Sequence, residues 1–511
     1  MRREQNEVVH RSSASTVAGL FHEHARRIPD AIAIDDGIVV RTYGNLNDRT
    51  ARLAQVLVDH GVSLGDRIAV LSENRSEYLE LYIAAARIGA VIASQNWRLA
   101  APELLHCLNL VEPAVTFVSK RHLASLEKTG FRGNTVVLEV LYEKLIAATA
   151  PLSEIVELDP EAAYLILYTS GTTGLPKGAV ISHRAEIARN MTLRAEFGIH
   201  PEDTFAAWSP LYHMGAAEFS LGTLMAGGKV IVVDGFDQVR LADIVAKEKL
   251  GWLLLMPGMV GEFARYLETN QITAKGMRVC GVMADLVPPA DIQKITALLG
   301  APYANTFGAT ETGCPPCSSS LIPIGVAPTR LSKQQSPFCE VRLVDPEDKE
   351  VVNGEPGELC MRGPTNFSGY WQADETNAED FRGGWFHMGD VFIRNADGTL
   401  DFVDRVKYLI KSGGENIYPA EIERVLLDDP RVSDAAVVRR ADDKWGEVPI
   451  AIVACRDETI RKEDLYKRCR DALAGYKQPK DIIFINFDDL PRSASGKIQR
   501  HELEKQLTAP S

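Results

Sequence analysis

Segments with helical and strand-like periodicity alternate along the first half of the chain. Residues 17–28 place apolar side chains at helical spacing behind Ser15, whose hydroxyl suits an N-cap, and the strand-like run AIAI follows. The same order returns in a helical segment that ends at Gly61, the strand-like run RIAVLS and the helical run EYLELYIAAARIG. This alternation predicts an α/β fold with largely parallel sheets covered by helices.

The pattern changes after residue 340, where short strand-like runs are separated by turn residues, as in CEVRLVDPEDKEVVNGEPGELCMRG. A region that mixes strand and helix patterns follows. With 511 residues, the chain is too long for one compact core. We predict a large N-terminal domain of layered helices and sheets with a small β-subdomain, residues 1–404, and a small mobile α+β domain, residues 405–511.

The net charge of −13 argues against nucleic-acid binding, because such proteins gain affinity from clustered Lys and Arg side chains that neutralise phosphates. No stretch approaches the roughly 18 uninterrupted apolar residues of a membrane span. The first residues, MRREQNEVVHRSSAS, are polar where a signal peptide has an apolar core. We therefore expect a cytoplasmic protein that does not bind nucleic acid, and the sequence leaves open whether it forms a homodimer.

Eight cysteines are scattered along the chain, unlike the cysteines of a disulfide framework. Cys314 and Cys317 form the one close pair in the sequence. Their spacing fits a redox dithiol without a thioredoxin-sized context, and a metal site would need a second pair. We interpret them as incidental loop cysteines.

The run YTSGTTGLPKG, residues 168–178, follows the apolar run AAYLIL and so lies at the carboxyl end of a predicted strand, where ligands bind in parallel sheets. Its glycines expose backbone N–H groups, its hydroxyl residues add donors, and Lys177 adds a cation, which together suit a polyphosphate. The spacing differs from that of a Walker A loop, because Gly171 and Gly174 are too close and Gly178 follows Lys177. A flexible surface turn is the alternative for this loop alone.

Six further motifs follow this loop in an order that resembles the adenylate-forming superfamily, in particular its acyl- and aryl-CoA synthetases. They are PLYH at 210–213, NTFGATE at 305–311, GELCMRGP at 357–364, HMGD at 387–390, DRVKYLIKSGGENIYPAEIE at 404–423 and PRSASGKIQR at 491–500. The resemblance covers nearly the whole chain. It implies that ATP, Mg²⁺ and coenzyme A take part in the reaction.

The resemblance implies a phosphate site formed by Lys177 and the loop residues Thr169, Ser170, Gly171, Thr172, Thr173 and Gly174. Thr310 would lie beside the phosphates, and Glu311 would ligate Mg²⁺, which prefers oxygen ligands. Lys497 matches the lysine that bridges the substrate carboxylate and the α-phosphate in relatives. Outside its motif, Lys497 would be interpreted as a surface lysine.

The same resemblance implies that the nucleoside lies against Phe307 and Gly308 and near Asp390 and Arg405. Phe307 stands where many relatives have Tyr, so the ring that stacks on adenine is retained without the hydroxyl. Asp390 would accept hydrogen bonds from both ribose hydroxyls. Arg405 would lie near the ribose and the phosphates.

The acyl-binding residues implied by the resemblance are His213, Met214, Gly215, Val282, Met283 and Ala309. His213 resembles the aromatic gate near the acyl carboxylate of CoA ligases, although most lone histidines are structural. Val282 and Met283 place bulk where relatives often have glycines, which predicts a short or flat pocket. A short or medium-length, alicyclic or aromatic acid is therefore favoured over a long-chain fatty acid.

Gly413 and Gly414 match glycines that let the pantetheine arm of coenzyme A approach the adenylate in relatives. Trp445 would flank the coenzyme A tunnel, and a packed surface tryptophan is the alternative. Lys407 matches the hinge about which the C-terminal domain rotates between the two half-reactions. The usual glycine before Arg405 is Asp404 here, which predicts a stiffer hinge.

The resemblance thus implies an AMP-forming acid–thiol ligase. Such an enzyme converts a carboxylic acid and ATP into acyl-AMP and pyrophosphate, and then forms acyl-CoA and AMP. One alternative is an enzyme that loads a separate carrier protein, because the chain contains no Asp-Ser-Leu carrier signature of its own. A luciferase-like oxidoreductase and a binding protein without activity are further alternatives.

Overall fold

The computed structural model describes residue 9 and residues 12–170, 175–412, 415–457, 459–492 and 498–508. The chain divides into two compact units, Met1–Glu340 with Met361–Phe386 and Val341–Cys360 with His387–Ser511. The fold is α/β, as the alternation of patterns predicts. The division into domains 1–404 and 405–511 stays a prediction.

Strands and helices alternate along the first unit. Its strands are β1 (Ile32–Asp35), β2 (Val40–Thr42), β3 (Arg67–Leu71), β4 (Val91–Ser94), β5 (Val115–Val118), β6 (Thr135–Val137), β7 (Ala163–Ser170), β8 (Pro176–Ser182), β9 (Thr204–Ala207), β10 (Val230–Val232), β11 (Leu250–Leu253), β12 (Met277–Cys280), β13 (Tyr303–Ala304), β14 (Phe307–Ala309), β15 (Gly313–Cys317) and β16 (Leu321–Ile322). Its helices are α1 (Val17–Arg27), α2 (Tyr43–Asp59), α3 (Ser76–Ile88), α4 (Ala101–Val111), α5 (Lys120–Thr129), α6 (Glu143–Ala148), α7 (His183–Phe197), α8 (Met214–Met225), α9 (Gln238–Lys247), α10 (Pro257–Thr269), α11 (Pro289–Leu299) and α12 (Asp374–Asp380). In the part of the chain that the structure describes, no helix is both long and apolar enough to span a bilayer.

Two large sheets organise the first unit. The eight-stranded sheet has the order β16-β13-β12-β11-β9-β10-β1-β2, and its strands from β13 to β1 are parallel. The six-stranded sheet has the order β6-β5-β3-β4-β7-β8 and is parallel except for the β7–β8 pair. β14 and β15 form a separate antiparallel pair. The parallel strands are short and apolar, as expected for strands buried on both faces.

The second unit contains two smaller sheets. Its strands are β17 (Glu340–Val344), β18 (Pro356–Arg362), β19 (Phe386–Arg394), β20 (Leu400–Arg405), β21 (Ile410–Ser412), β22 (Glu415–Ile417), β23 (Val432–Asp442), β24 (Gly446–Cys455) and β25 (Asp481–Ile485). Its helices are α13 (Pro419–Leu427), α14 (Lys462–Ala472) and α15 (Arg500–Thr508). The first sheet has the order β17-β18-β19-β20, and the second has the order β22-β21-β24-β23 with β25 paired to β24.

Both faces of the sheet formed by β21 to β25 are apolar. Val437 and Val453 pack with residues of α13 and α14 on one face, and Val438 and Ile450 pack with Leu503 of α15 on the other. This alternation follows from the two-residue period of a strand. The helices on each side bury the two apolar faces, so this part of the chain has cores of its own.

The first helix begins one residue later than the sequence predicts. Thr16 is the N-cap of α1, and its hydroxyl accepts a hydrogen bond from the Gly19 N–H at 3.2 Å. The prediction of Ser15 as the cap is therefore wrong. The two neighbouring hydroxyl side chains are equally suited to this role, and only the extended backbone of Thr16 determines which one caps the helix.

A buried histidine joins the start of α1 to the six-stranded sheet. His183 Nδ1 accepts a hydrogen bond from the Val17 N–H at 3.3 Å, and its ring stacks on Tyr164 at a centroid distance of 4.7 Å. Burial lowers the pKa of His183 to about 4. Protonation would place a hydrogen on the atom that accepts the Val17 bond, so the folded protein holds this imidazole neutral.

We expect stability to fall on acidification because of His183. Its folded-state pKa lies below the ordinary value, so the unfolded chain binds more protons and stability decreases as the pH falls from about 6.5 towards 4. A shift of this size corresponds to about 3 kcal/mol in the free energy of unfolding. Urea denaturation at several pH values measures it. The His183→Gln variant should show a flatter pH dependence over this range, and equal slopes for both proteins would contradict the assignment.

Candidate active site

The carboxyl ends of parallel strands place candidate residues for the acyl group and for the nucleoside along one edge of the eight-stranded sheet. His213 follows β9, Val282 follows β12, and Phe307 follows β13. Because β9, β11, β12 and β13 run in the same direction, the segments that follow them leave the sheet on the same side. The structure therefore brings these three segments to a common edge.

The predicted phosphate loop connects β7 to β8. Thr169 pairs with Lys177 and Ser170 pairs with Pro176 in this antiparallel hairpin. β7 is parallel to β4, so the loop leaves the carboxyl end of a strand, as predicted. The loop is followed by strand β8 and not by a helix. Gly171, Thr172, Thr173 and Gly174 lie outside the described residues.

Tyr370 links two of the predicted site residues, Lys177 and Glu311. Lys177 Nζ lies 4.9 Å from the centroid of the Tyr370 ring, and the Tyr370 hydroxyl donates a hydrogen bond to Glu311 Oε1 at 2.7 Å. The Phe367 N–H also donates to the Glu311 carbonyl oxygen at 2.8 Å. A cation and a carboxylate thus lie on two sides of one phenol. Cation–π contacts of this kind orient an ammonium group without neutralising it.

Residues 368–371 form an additional pairing segment along β8, and this pairing places Tyr370. The Ser368 N–H donates to the Val180 carbonyl at 2.8 Å, the Val180 N–H donates to the Gly369 carbonyl at 3.0 Å, and Ala179 bridges Tyr370. Tyr370 was not predicted from the sequence. Its signal is weak, because it lies in the short run SGYW between two predicted motifs.

The β14–β15 hairpin carries Thr310 and Glu311 in its turn. A Cβ on Gly308 would lie 2.0 Å from the Gly313 carbonyl oxygen, so only glycine fits at this crossing of the two strands. The Thr312 hydroxyl accepts a hydrogen bond from the Ala309 N–H at 3.1 Å and fixes the turn. Phe307, Ala309, Thr310 and Glu311 are all partly exposed, as ligand-binding side chains must be.

Asn74 holds the turn that presents His213. The Asn74 side-chain oxygen accepts a hydrogen bond from the Leu211 N–H at 2.8 Å, and the Tyr82 hydroxyl donates to the Leu211 carbonyl at 2.6 Å. The Asn74 amide nitrogen lies within 3.1 Å of the carbonyl oxygens of Ala207, Ser209 and Val233. His213 is the N-cap residue of α8 and lies against the Tyr212 ring at a centroid distance of 4.5 Å. Asn74 was not predicted. Its position just after β3, at the carboxyl end of a parallel strand, could have indicated a residue near the ligand site.

Met214 and Gly215 form the first turn of α8 and are partly exposed. A Cβ on Gly215 would lie 3.4 Å from Leu254 Cδ1, which is an ordinary contact distance. Leu254 follows β11, so this position also belongs to the common edge. The backbone at Gly215 therefore does not require glycine, and its lack of a side chain leaves space beside Leu254.

The segment after β12 combines one obligatory glycine with a strained residue. A Cβ on Gly281 would lie 2.1 Å from the Tyr303 ring, and the Gly281 carbonyl accepts a hydrogen bond from Trp252 Nε1 at 2.8 Å. Val282 is partly buried and accepts a hydrogen bond from the Tyr303 hydroxyl at 3.2 Å. Met283 has a φ of 50° and is 40% exposed. Such left-handed conformations of non-glycine residues cluster at ligand sites.

A buried lysine, Lys333, holds the segment after β12 in place. Lys333 is 0% exposed and donates hydrogen bonds of 2.7 Å to Asp285 and to the Asn305 side-chain oxygen. The Asn305 amide nitrogen in turn donates to the Leu331 carbonyl at 3.0 Å. These contacts tie the segment after β12 to the NTFGATE motif. Lys333 was not predicted, since lysines are usually exposed.

A buried ion pair lies behind the β14–β15 hairpin. Arg189 pairs with Glu218 and donates from Nε to the Thr365 carbonyl at 2.8 Å. A Cβ on Gly313 would lie 2.9 Å from the Arg189 side chain. Burial raises the pKa of Glu218 and raises that of nearby Glu186 well above its usual value. Burial and the neighbouring Glu218 carboxyl group both favour the protonated form of Glu186.

The ribose-binding candidates form a pair in the second unit. Asp390 of β19 and Arg405 of β20 are cross-strand partners, and Arg405 Nε lies 2.8 Å from Asp390 Oδ1. The Asp390 side chain is buried and that of Arg405 is partly exposed. Asp404, which precedes Arg405, accepts hydrogen bonds of 2.7 Å from the N–H groups of Arg405 and Ala420. Burial raises the pKa of Asp404.

The hinge and coenzyme A candidates also lie in the second unit. Lys407 is in a short 3₁₀ turn, Val406–Tyr408, and its carbonyl accepts a hydrogen bond from Arg439 at 3.3 Å. Trp445 is 42% exposed at the turn between β23 and β24, with Lys444 Nζ 4.7 Å from its ring centroid. Gly446 pairs with Ser412, so this turn lies beside the strand that leads to the predicted glycines. The remaining candidates, Gly413, Gly414 and Lys497, lie outside the described residues.

Cys314 and Cys317 lie within β15. The interpretation as loop cysteines is therefore wrong about their location. Both are buried, and burial raises the pKa of Cys314 far above its usual range. A buried protonated thiol is a poor nucleophile, so Cys314 is poorly suited to redox chemistry.

Comparison with known proteins identifies the family of the chain. Residues 21–371 match the family described as AMP-binding enzyme, and residues 421–497 match the AMP-binding enzyme C-terminal domain. The chain is 35% identical over 490 residues to a feruloyl-CoA synthase of an Amycolatopsis species, an alignment that covers 94% of this chain and 97% of the relative. It is 31% identical over 481 residues to an indoleacetate–CoA ligase of Aromatoleum aromaticum, with 92% and 93% covered.

A solved structure agrees with these sequence comparisons. The chain is similar to o-succinylbenzoate CoA synthetase of Bacillus subtilis in complex with the acyl-adenylate intermediate OSB-AMP, with a TM-score of 0.83 and 26% identity. The similarity covers 96% of this chain and 98% of that one. Since both the N-terminal and the C-terminal family models match, and the relatives align over nearly their whole length, the chain belongs to the family of AMP-binding enzymes.

Proposed function

We propose that this protein is an ATP-dependent carboxylate–CoA ligase that acts on an aromatic acid. In the first half-reaction, a carboxylate oxygen attacks the α-phosphorus of ATP, the bond to pyrophosphate breaks, and acyl-AMP forms. In the second, the thiol of coenzyme A attacks the acyl carbon, loses its proton, and releases AMP. The relatives named as feruloyl-CoA synthase and indoleacetate–CoA ligase support both the reaction and the class of acid.

The arrangement of Lys177, Tyr370 and Glu311 is the observation that carries this proposal. Attack of a carboxylate on ATP brings two anions together, so the site must supply positive charge near the departing pyrophosphate. Lys177 supplies a cation at the end of the β7–β8 hairpin, beside Thr169. The Tyr370 ring holds that cation in place, and the phosphate can still receive its N–H groups.

Glu311 fits the role of a magnesium ligand. It is partly exposed, it is a hard oxygen donor, and its Oε1 is oriented by the Tyr370 hydroxyl. Mg²⁺ bound with ATP would neutralise charge on the phosphates during the transfer. Thr310, next to it in the same exposed turn, would donate its hydroxyl to a phosphate oxygen.

The nucleoside would be held by residues of different strands. The flat Phe307 ring would stack on adenine. The absence of a Cβ at Gly308 lets β14 approach β15 closely next to that ring. Asp390, oriented by Arg405, would accept hydrogen bonds from the ribose hydroxyls. Arg405 retains further N–H donors for a phosphate, because guanidinium groups carry five.

The acid would bind at the common strand edge, with His213 near its carboxylate. Asn74 fixes the position of His213 through the turn before it, which reduces the entropy lost when the acid binds. The bulk of Val282 and Met283 after β12 would shorten the acyl pocket, and the absence of a side chain at Gly215 would leave room for a flat ring. A planar aromatic acid therefore fits better than a long aliphatic chain.

The second half-reaction requires a different set of groups near the acyl-AMP. Lys497 would bridge the two anions in the first step and must then leave so that the thiol can enter. Rotation about Lys407 would exchange Lys497 for Gly413 and Gly414, with Trp445 beside the pantetheine path. A homodimer stays a prediction.

Substrate-dependent exchange of pyrophosphate tests the proposed function. Purified protein with ATP, Mg²⁺ and a panel of aromatic and aliphatic acids should exchange labelled pyrophosphate only when a suitable acid is added. Adding coenzyme A should give a thioester and AMP, whereas a pantetheinylated carrier protein should not be acylated. Absence of exchange with every aromatic acid, or transfer to the carrier alone, would contradict the proposal.

Replacing Lys497 should separate the two half-reactions. A unit charge at about 4 Å contributes about 4 kcal/mol at an effective dielectric near 20, so Lys497→Ala should slow acyl-AMP formation about a thousandfold. Thioester formation from synthetic acyl-AMP and coenzyme A should stay within about threefold of the wild-type rate. The exposed Lys505, which pairs with Glu502, provides the matched control Lys505→Ala. Equal loss in both half-reactions would contradict the assigned division.

Two substitutions of Tyr370 should separate the functions of its ring and hydroxyl. Tyr370→Phe keeps the ring under Lys177 but removes the hydrogen bond to Glu311, so acyl-AMP formation should fall about tenfold and need more Mg²⁺. Tyr370→Leu also removes the cation–π contact and should cost about fivefold more. Single-turnover kinetics at varied Mg²⁺ measures both effects. Exposed Tyr476→Phe is the control, and an unchanged Mg²⁺ dependence in Tyr370→Phe would refute the link to Glu311.

A further inference from the structure

A histidine outside the predicted motifs contacts the hairpin that carries Lys177. His106 lies on α4 and is partly buried, and its Nε2 is 3.1 Å from the Pro176 carbonyl oxygen. Pro176 immediately precedes Lys177, the cation of the proposed phosphate site. Because a carbonyl oxygen can only accept, His106 Nε2 carries a hydrogen and donates it.

This contact extends a row of hydrogen bonds along the outer edge of β8. The Ser368 N–H donates to the Val180 carbonyl at 2.8 Å, and the Trp371 N–H donates to the Gly178 carbonyl at 2.8 Å. Carbonyl groups two residues apart on a strand point to the same side, so the Pro176 carbonyl faces this edge as well. Pro176 is therefore the next position in the row.

The segment that pairs with β8 turns away before it reaches Pro176. Gln372 has a φ of 50°, and α12 begins at Asp374, so the backbone leaves the edge of β8 after Trp371. Proline has no N–H, and its carbonyl is the one main-chain group that can pair at this buried position. His106 supplies the donor there, next to the first residue of the strand that presents Lys177.

The neighbouring residue of α4 holds the other strand of the hairpin. The Tyr168 hydroxyl donates to the Cys107 carbonyl at 2.9 Å, and the Gln95 side-chain nitrogen donates to the Tyr168 hydroxyl at 3.1 Å. Burial raises the pKa of Tyr168 well above its usual value, so this hydroxyl stays protonated and remains a donor. Consecutive residues of α4 thus contact β7 and β8, each close to the loop that joins them.

α4 is itself fixed to the six-stranded sheet. Arg67 of β3 donates from Nε to the Val111 carbonyl at 2.7 Å, and its guanidinium carbon is 5.4 Å from the centroid of the Trp371 ring. Val111 packs in one apolar cluster with Ile166 of β7 and Val180 of β8. A side chain on a helix held in this way can fix a backbone group precisely.

We propose that His106 is a positioning residue for the adenylate-forming half-reaction, an inference that rests on the proposed function. His106 fixes the Pro176 carbonyl and thereby the backbone from which Lys177 extends to the Tyr370 ring. Lys177 has to meet the departing pyrophosphate, so a small shift of its backbone slows the first step. The second half-reaction releases AMP and involves no pyrophosphate, so it does not depend on this contact.

Half-reaction kinetics of His106→Leu test the proposal. Leucine leaves the Pro176 carbonyl without this donor, so acyl-AMP formation should slow about tenfold. Thioester formation from synthetic acyl-AMP and coenzyme A should stay within about twofold of the wild-type rate. The exposed His200 provides the control His200→Leu, which should leave both steps unchanged. Equal losses in the two half-reactions, or an unchanged rate of acyl-AMP formation, would overturn the proposal.

Two amide variants separate the hydrogen bond from the volume of the side chain. The side-chain nitrogen of His106→Gln can reach the position of Nε2, so this variant should recover about fivefold of the rate lost in His106→Leu. The shorter amide of His106→Asn ends near the position of Nδ1 and should not recover it. This pair also decides the question if His106→Leu does not fold. Equal rates of acyl-AMP formation in His106→Gln and His106→Asn refute the role of the Nε2 hydrogen bond.

Nucleotide binding separates a failure of this inference from a failure of the proposed function. If wild-type protein exchanges no pyrophosphate with any acid, the proposed function is wrong, and calorimetry with ATP and Mg²⁺ still tests His106. His106→Leu should then bind ATP about tenfold more weakly while its affinity for AMP, which lacks the departing phosphates, is unchanged. Equal ATP affinities of the variant and the wild type would overturn the inference.

Discussion

The parallel pairing of β9, β11, β12 and β13 is the constraint on which the acyl-binding part of the site depends. Each strand is short, so it mainly sets the direction of the chain and the position at which the following segment begins. The candidate site residues lie just beyond those ends, where the backbone no longer forms the hydrogen bonds of the sheet. Asn74, Lys333 and Gly281 then fix the segments that the sheet alone would leave free. The rigid sheet brings these segments to one edge, and the buried polar contacts fix the positions of their side chains.

The contact between Lys177 and Glu311 through Tyr370 solves an electrostatic problem. A direct ion pair would neutralise both groups and would have to break before a phosphate or a metal could bind. The phenol keeps the two charges apart, because the ammonium lies on the ring face and the carboxylate accepts the hydroxyl proton. Each group is therefore oriented while its remaining hydrogen-bonding capacity stays available. In the proposed reaction, both groups would thus be oriented before the charged substrates arrive.

The fold class could be predicted because it depends on local patterns, and local motifs also located the candidate site residues. Apolar periodicity located α1 to α3 and the neighbouring strands, and the glycine-rich run located Lys177. Tyr370 escaped prediction, since its role arises from the pairing of residues 368–371 with β8, nearly two hundred positions earlier in the chain. Lys333 escaped for a similar reason, because its burial depends on Asp285 and Asn305 arriving from other segments. Local patterns define elements, whereas contacts between distant segments define which side chains act together.

The replacement of the usual glycine by Asp404 bears on how the second unit could move. The Asp404 carboxylate accepts hydrogen bonds from the N–H groups of both Arg405 and Ala420, so it fastens β20 to the first turn of α13. A pivot at residue 404 or 405 would break both bonds and expose a buried acid, which is costly. Lys407, in the short turn that follows, is held through its backbone by the 3.3 Å contact from Arg439. Rotation at Lys407 would disturb this 3.3 Å contact and would leave the two 2.7 Å hydrogen bonds of Asp404 intact. Asp404 would thus confine the proposed hinge to the turn at Lys407, which would keep Arg405 beside Asp390 while the residues after the turn move.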